Sequence, residues 1–515
     1  MCGFLVQIGD VRDKHHFELA YNSLSHRGPD FSSGCLEGEK IYVGHHRLAI
    51  CDLNSHANQP FSLQDSDWKI VFNGQIYNFI DLRNQFNLRC VTDSDTEVLL
   101  RLYLLLGDDF IKSVNGDFAL VIYNTRTGAF FAARDRLGVK PLFYSEKNGA
   151  WYFSSEAHAL ARLLNDFSLD EIARNQFLTV RGYLGNRTQF KNVKSFPAAH
   201  QINNGVLSRY WSLENGKSKF NKEEARELIK DAVECRIPKD VSSTITLSGG
   251  IDSYIIGSFS RVKSSWCVGM PLENEFTEAS QAATKLNTTH QNVLVSPADF
   301  LNEHSDFIDK CLAPVGVANQ MLSQALYKEI SRADKVVLSG EGADELFMGY
   351  DRIYRWAHQN PKFDANKFFE LYRYSQFGQV DILEDSGILN SSGTSLEIVE
   401  EFFMTAHLQI LLNRLDLASM FSGVEARVPF TDYRLVELIY GSGHLNRISD
   451  SNSKIFLREI YADALGSPKR SNQKMGFPVP YHQMSNLQLK TLNTPADWLQ
   501  YSYAEFESTI QEKSL

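Results

Sequence analysis

Residues 243–260 read STITLSGGIDSYIIGSFS, a β-branched run, a glycine turn and an apolar helical segment in succession. The run at 244–247 predicts a strand, and the loop at 248–253 leads from it into a helix. Paired glycines let backbone N–H groups close around an anion, and the helix N-terminus points its positive end at the same place. Asp252 would repel a phosphate unless a divalent cation lay between them. The loop indicates a pyrophosphate site with Mg²⁺, and the alternative is a plain strand-to-helix turn.

A second stretch repeats this order. Residues 335–350, KVVLSGEGADELFMGY, again run from strand to glycine loop to helix, and they bring Glu341, Asp344 and Glu345 close together. Acidic residues at a helix start often serve only to complement the helix dipole. In a parallel sheet, however, ligands gather at the carboxyl ends of the strands. Both loops are therefore expected at one sheet edge, where they would share a metal and a nucleotide.

The pattern of elements predicts two different architectures in one chain. Short alternating segments with turn residues dominate the first ~200 residues and favour a layered α+β domain. After residues 195–211 long helical patterns alternate with short β-branched runs, which indicates a parallel α/β sheet. Residues 364–445 read as almost wholly helical. We expect one domain at 2–205 and a second at 215–515.

Charge and composition exclude several classes of protein. The formal charge of −10 argues against a nucleic-acid-binding surface. The seven cysteines are scattered without a Cys-x-x-Cys pair, which favours a reducing compartment over a disulfide framework or a zinc site. No apolar run reaches the ~20 residues that span a bilayer, and the first twenty residues do not read as a signal peptide. We expect a cytoplasmic protein without membrane or nucleic-acid partners.

Several motifs carry a resemblance to a known family. SGGIDS looks like the PP-loop of ATP pyrophosphatases, which split ATP into AMP and pyrophosphate. Glutamine-hydrolysing asparagine synthetases have motifs similar to SGEGADELFMGY, to VEARVPFTDYRLVEL at 424–438 and to KMGFPVP at 474–480. The N-terminal part resembles the glutaminase domain of class II amidotransferases through MCGF, HRGPD, HHRLAI, FNGQIYN, SDTE, NGDFAL and RDRLGVKPLFY.

The resemblance to the asparagine synthetase family covers most of the chain, with its motifs in order. It implies an α+β N-terminal-nucleophile hydrolase sandwich (αββα) followed by an α/β PP-loop domain with a parallel sheet and a helical C-terminal part. It also implies ATP as a co-substrate, Mg²⁺ as a cofactor, and glutamine and a carboxylate acceptor as the other substrates. Family members are often dimers, so a homodimer is an expectation on that ground alone.

For the N-terminal domain the resemblance implies a complete glutaminase site. After removal of Met1, Cys2 would carry a thiol beside its own free amine, whose ordinary pKa of about 7.7–8.0 suits a base for that thiol. Asn73 and the N–H of Gly74 match the donors to the oxyanion. Arg47 matches the group that holds the glutamine carboxylate, a role that suits a bidentate guanidinium. The ammonium would be held by Asp95 and Gln75.

Position 75 departs from the family pattern, which usually reads NGEIYN where this chain reads NGQIYN. A neutral amide oxygen still accepts a hydrogen bond from the glutamine ammonium, but it lacks the charge of a glutamate. Hydrogen bonds to charged groups contribute about 1.5–3 kcal/mol, against about 0.5–1.5 kcal/mol for neutral ones. We therefore expect glutamine to bind about tenfold more weakly, with the chemistry intact.

For the second domain the resemblance implies an adenylating site. Glu341 matches a general base for the attacking ammonia, and Lys454 matches a lysine that steadies the transition state of adenylation. Lys474 and Arg427 are further candidates, each with a salt-bridge role as the alternative. Mg²⁺ would be held by Asp252 and Asp344. The residues matched to ATP and pyrophosphate binding are Leu247, Ser248, Gly249, Gly250, Asp252, Ser253, Ser339 and Gly340.

The implied function is a glutamine-dependent amide ligase. Glutamine would be hydrolysed at Cys2, and the ammonia would pass through the protein to a carboxylate activated as an acyl-adenylate. Aspartate is the leading acceptor, giving asparagine. Residues 413–430, NRLDLASMFSGVEARVPF, differ from the pattern expected of dedicated aspartate-amidating enzymes, so a sugar acid or another small-metabolite carboxylate is the alternative. A third reading is an amidohydrolase whose second domain only acts as a scaffold.

Overall fold

The computed structural model describes residues 2–9, 14–37, 40–214, 216, 219–378, 380–388, 392–465, 479–481 and 492–514. The strands are β1 Gly3–Ile8, β2 Phe31–Glu37, β3 Ile41–Arg47, β4 Phe61–Ser62, β5 Trp68–Ile76, β6 Gly116–Asn124, β7 Phe130–Arg134, β8 Phe143–Lys147, β9 Ala150–Ser154, β10 Lys194–Ser195, β11 His200–Asn203, β12 Val206–Arg209, β13 Ser243–Thr246, β14 Ser264–Gly269, β15 Thr289–Leu294, β16 Val336–Leu338 and β17 Glu425–Arg427.

The α-helices follow the apolar periodicity of the sequence and are mostly short. They are α1 Lys14–Asn22, α2 Phe79–Gln85, α3 Asp95–Leu106, α4 Phe110–Ser113, α5 Ala157–Leu164, α6 Glu171–Val180, α7 Lys222–Glu234, α8 Ile251–Phe259, α9 Phe276–Leu286, α10 Pro297–Cys311, α11 Asn319–Ile330, α12 Ala343–Leu346, α13 Asp351–Gln359, α14 Ala365–Tyr372, α15 Ile382–Ser386, α16 Ser395–Phe402, α17 Leu408–Met420, α18 Tyr433–Gly441, α19 Ile455–Leu465 and α20 Pro495–Ser514. In the described part of the chain, none of them is long and apolar enough to cross a membrane.

The N-terminal half, up to Arg209, is a sandwich of two antiparallel sheets. Their described strands run in the orders β10-β8-β9-β1-β3-β2 and β12-β11-β7-β6-β5-β4. Because side chains alternate along a strand, β1 sends Phe4 and Val6 into the core between the sheets and Leu5 to the outer face. Helices α1 and α5 cover that outer face, and α3 covers the other sheet. The predicted αββα arrangement is confirmed.

The C-terminal half, from Lys222, is built on a parallel sheet with the strand order β15-β14-β13-β16-β17 among the described residues. Strands β13 and β16 are direct neighbours, with Ile245 opposite Leu338. Their carboxyl ends, and so the two glycine loops, lie at one sheet edge as predicted. The prediction of a nearly all-helical segment at 364–445 is wrong at β17. Its three residues are too few to show a period, and both charged side chains are buried against partners.

The two halves are packed closely against each other. Strand β12 pairs with β11, so the N-terminal sheet continues past residue 205 to Arg209. In return, helix α20 near the C-terminus buries Leu499, Tyr503 and Phe506 in the core beneath α5. This packing brings β17 of the second half against the N-terminal sandwich and fixes where the two predicted sites lie relative to each other.

Candidate active sites

Cys2 is buried at the start of β1, and Asn73 on β5 lies beside it. The backbone N–H of Cys2 donates a hydrogen bond of 2.8 Å to Asn73 Oδ1. The other end of that amide, Nδ2, is buried and has no hydrogen-bond partner in the described structure. A buried donor without a hydrogen-bond partner is rare in a folded protein, so this N–H is expected to donate to a bound ligand. Asn73 thus has an amide N–H without a partner on a side chain that is hydrogen-bonded to the backbone of Cys2, as an oxyanion donor requires.

Glycine is the residue type that fits at position 74. Its φ is +155°, and a Cβ built there would lie 2.1 Å from the backbone oxygen of Asp117. The close approach results from the pairing of β5 with β6, which sets Gly74 opposite Phe118. The sequence pattern FNGQIYN therefore has a steric cause at its glycine, and any side chain would push β5 away from its neighbour.

One pocket is lined by most of the residues predicted to bind glutamine. Cys2, Arg47, Gly74, Gln75 and Asp95 all contribute to its wall. The guanidinium of Arg47 is held in place by the carbonyl oxygens of residues 51, 52 and 54 and by a side-chain oxygen at 58. These residues were expected at one site on family resemblance alone, and in the fold they line one pocket.

Burial sets the electrostatics of this pocket. It raises the pKa of Asp95 to about 6, although the N–H of Ile76 donates to Asp95 Oδ2 at 2.9 Å and lowers it in part. Burial likewise raises the pKa of the Cys2 thiol above its ordinary value. A thiol of that kind needs a nearby base to become a nucleophile.

The C-terminal half also contributes to this pocket, which sequence reasoning missed. Glu425 on β17 lines the pocket, and Arg427 Nη2 donates to Gln75 Oε1 at 3.1 Å. Gln75 Nε2 in turn donates to Asp95 Oδ2 at 2.9 Å. Arg427 Nε lies 2.7 Å from Glu425 Oε1 in an ion pair. The charge of Arg427 keeps the pKa of Glu425 below its ordinary value, although burial alone would raise it. The VEARVPF motif quoted above contains both residues, but nothing in it indicates a contact with the N-terminal half.

The loop at 248–253 has the compact geometry that its glycines predict. Gly249 has a φ of +69°, and a Cβ there would lie 2.4 Å from the side chain of Glu278. The hydroxyl of Ser253 accepts from the N–H of Ser248 at 3.3 Å and donates to the oxygen of Gly250 at 3.2 Å. The loop ends at the N-terminus of α8, which has no side-chain cap. Its first N–H groups are thus left for an anion.

The carboxylates of Asp252, in this loop, and of Asp344 both contact the ammonium group of Lys454. Lys454 Nζ lies 2.7 Å from Asp252 Oδ1 and 2.5 Å from Asp344 Oδ1. Gly349 makes room for this cluster, because a Cβ there would lie 1.9 Å from Asp344 Oδ1. Both carboxylates contact the same ammonium group, so their oxygen atoms lie close together. Carboxylate oxygens are the ligands that Mg²⁺ prefers. Asp252 and Asp344 therefore fit the predicted metal site.

A single cavity, here called the nucleotide cavity, collects most of the residues predicted for the second site. Leu247 has its side chain in the apolar core, and Lys474 lies outside the described residues. The candidate Arg427 is instead at the glutamine pocket. The predicted residues Gly249, Gly250 and Lys454 are likewise absent from the cavity wall. Sequence reasoning did not select Tyr350 and Arg414, although both lie in stretches quoted above, and it did not select Asn319, Gln320 and Ser323, which lie in none of them. The predicted residues that line the cavity are Ser248, Asp252, Ser253, Ser339, Gly340, Glu341 and Asp344.

Arg27 forms a buried connection between the two sites. Its guanidinium donates to the carbonyl of Cys2 at 3.2 Å, to Glu156 at 2.8 Å and to Asp416 on α17 at 2.7 Å. Burial alone would lower the pKa of Arg27, but the two carboxylates raise it above its ordinary value. Helix α17 also carries Arg414, whose Nη2 lies 3.6 Å from Glu341 Oε1 in the nucleotide cavity. Helix α17 thus lines the nucleotide cavity through Arg414 and is linked to Cys2 indirectly, through Arg27.

Comparison with known proteins gives the same division of the chain. The family model described as a glutamine amidotransferase domain matches residues 1–211, and that described as asparagine synthase matches residues 224–500. The glutamine-hydrolysing asparagine synthetase 3 of Bacillus subtilis is 28% identical over 92% of this chain and 85% of its own length. Asparagine synthetase B of Escherichia coli is 27% identical over 94% of this chain and 85% of its own. Asparagine synthetase 1 of Bacillus subtilis is 32% identical over 69% and 60%.

Proposed function

The chain belongs to the asparagine synthase family of glutamine-hydrolysing, AMP-forming ligases, and on that premise we propose that it transfers ammonia from glutamine to an adenylated carboxylate, with aspartate as the leading acceptor. The observation that carries the proposal is the presence of both sites in one chain, each with its polar groups in place. The domains expected for the two activities are residues 2–205 and 215–515, and we propose to extend the first to residue 209 because β12 pairs with β11.

The first step takes place at Cys2. Once its amino group is free, that amine takes the thiol proton, and the sulfur attacks the side-chain carbonyl of glutamine. The developing oxyanion accepts hydrogen bonds from Asn73 Nδ2 and the N–H of Gly74. Ammonia leaves with the returned proton, and water hydrolyses the thioester to glutamate. Arg47 and Asp95 hold the two charged ends of the glutamine, so only the amide faces the sulfur.

The second step takes place in the nucleotide cavity. A carboxylate oxygen of the acceptor attacks the α-phosphorus of ATP, and the bond from that phosphorus to the β-phosphate oxygen breaks to release pyrophosphate. The loop at 248–253 and the N-terminus of α8 donate N–H groups to the leaving pyrophosphate. Lys454 stabilises the negative charge that builds up at phosphorus. Mg²⁺ held by Asp252 and Asp344 would screen the phosphate charge.

The third step joins the two products. Ammonia attacks the carbonyl carbon of the acyl-adenylate, the amide forms and AMP leaves. The tetrahedral intermediate must lose a proton from nitrogen, and Glu341 in the cavity wall accepts it. Arg414 Nη2 lies 3.6 Å from Glu341 Oε1 and helps to hold this side chain in the cavity wall.

The acceptor and the assembly are the finer parts of this proposal. A sugar acid or another small-metabolite carboxylate is the second candidate, favoured by the departure of residues 413–430 from the expected pattern. A homodimer is proposed on family grounds. The test is pyrophosphate release with ATP, Mg²⁺, glutamine and aspartate, followed by a panel of other acids. Release with aspartate supports the leading candidate, and release only with another acid supports the second. Glutamate formation without pyrophosphate from any acid would favour an amidohydrolase.

A further inference from the structure

A second cavity, here called the junction cavity, lies between the two halves of the chain and adjoins the nucleotide cavity. Its wall includes Arg181, Tyr183, Gln189 and Cys311. Gln320 and Arg414 line both cavities. An acceptor whose carboxylate lies near Glu341 is therefore also close to Arg414, a residue that belongs to both cavity walls.

Arg181 brings a positive charge to this cavity, and no acidic partner for it is found among the described residues. In the described part of the chain it makes no ion pair, and its guanidinium lies 3.2 Å from the ring centre of Tyr374. Burial, together with the charge of Arg414, lowers the pKa of Arg181. The carboxylate in the cavity wall, Glu156, already pairs with Arg27 and His26.

The backbone conformation of Arg181 is a second, independent observation that favours a ligand-binding role for this side chain. It follows the last residue of α6 with a φ of +67° and a ψ of +20°, the left-handed conformation usually taken there by glycine or asparagine. A residue with a long side chain costs about 1 kcal/mol in that conformation. Such strained residues cluster where a side chain contacts a ligand.

We propose that the acceptor carries a second anionic group, a carboxylate or a phosphate, which binds between Arg181 and Arg414 while the first carboxylate is adenylated. This inference rests on the proposed ligase function. Arg181 does not line the nucleotide cavity, so the anion that it meets is distinct from the phosphates of ATP at the loop 248–253. Guanidinium groups bind both anions in bidentate fashion. Aspartate is the smallest acceptor of this class, and acids with a single negative charge fall outside it.

The test uses the full chain with ATP, Mg²⁺ and ammonium chloride, which bypasses Cys2. Pyrophosphate release is measured with matched acids: aspartate against β-alanine, succinate against propanoate, and a phosphorylated sugar acid against the same acid without phosphate. For at least one pair, kcat/KM is expected to be about tenfold or more higher for the dianionic member. Arg181→Gln should raise the KM of that acid by a similar factor and leave the KM of ATP unchanged. Arg174→Gln, on the same helix but outside the cavity, is the matched control.

The outcomes separate this inference from the proposed function. Pyrophosphate release with equal efficiency for both members of each pair, or an unchanged acceptor KM in Arg181→Gln, overturns the inference and leaves the ligase intact. No release with any acid contradicts the ligase and this inference with it. A measurement that needs no turnover is arginine modification by phenylglyoxal, located by mass spectrometry. Succinate or inorganic phosphate should protect Arg181 and Arg414, and propanoate at equal ionic strength should not. Equal protection by all three would also overturn the inference.

Discussion

Gln75 and Arg427 are hydrogen-bonded across the junction of the two halves, with Arg427 Nη2 3.1 Å from Gln75 Oε1. The same glutamine donates to Asp95, and the same arginine pairs with Glu425. The glutamine pocket is therefore attached to the sheet of the C-terminal half through one continuous chain of four buried side chains. A change at either end of this chain is expected to affect glutamine binding.

Gln75→Glu is expected to lower the KM for glutamine by up to about tenfold at pH 8, with little change in kcat. The new carboxylate adds negative charge beside the glutamine ammonium, and Arg427 partly neutralises it. Asp95 would then lie next to a second carboxylate, which raises its pKa further, so the gain should shrink as the pH falls towards 6. Steady-state glutaminase assays at both pH values measure this. An unchanged KM at pH 8 would show that residue 75 does not contact the ammonium.

Arg427→Met is expected to destabilise the protein by about 3–5 kcal/mol, because it removes the ion-pair partner of a buried carboxylate, Glu425. The double variant Glu425→Gln/Arg427→Met removes both charges and should recover most of that loss. Urea unfolding monitored by tryptophan fluorescence gives the free energies of unfolding. If the double variant is no more stable than the single one, the pair does not account for the effect of the arginine.

Sequence alone predicted the parts of each site that are continuous in the chain. The two glycine loops were recognisable because each links a β-branched run to a helix, and their strands proved to be neighbours. The contribution of Glu425 and Arg427 to the first pocket could not be predicted, since 352 positions separate Gln75 from Arg427. Their strand is also too short to show alternation. The role proposed for Arg181 could not be predicted either, because no sequence pattern indicates a left-handed backbone at an arginine.

The binding of glutamine is expected to weaken in acid because of Asp95. Burial raises the pKa of its carboxyl to about 6, so below that pH the folded protein holds it neutral and unable to pair with an ammonium. The KM for glutamine should therefore rise as the pH falls through 6. In Asp95→Asn the KM should be high and nearly independent of pH over the same range. A wild-type KM that stays constant from pH 7 to pH 5 would exclude Asp95 from the ammonium site.

Changes at Cys2 and Asn73 are expected to separate the two activities. Cys2→Ala, and any form that keeps a residue before Cys2, should lose glutaminase activity yet make product from ammonium chloride. Asn73→Ala should lower the glutaminase kcat by about 10²–10³-fold with a small effect on KM, the usual cost of one oxyanion donor. Glutamate release and ammonia-dependent pyrophosphate release are measured on the same preparations. Loss of ammonia-dependent synthesis in Cys2→Ala would contradict the two-site model.

Lys454→Met is expected to impair the adenylating activity and to spare the glutaminase activity, the opposite of the changes at Cys2 and Asn73. Its Nζ lies between Asp252 and Asp344 at 2.7 and 2.5 Å, so the variant loses both the charge that opposes them and the group proposed to stabilise adenylation. Pyrophosphate release should fall by about 10²-fold or more, whereas glutaminase activity at Cys2 should persist. Excess Mg²⁺ should restore binding of ATP, because a second cation can replace the lost charge between the two carboxylates, but it should not restore the rate of pyrophosphate release. Full recovery of that rate with Mg²⁺ would mean that Lys454 only balances charge in the resting site.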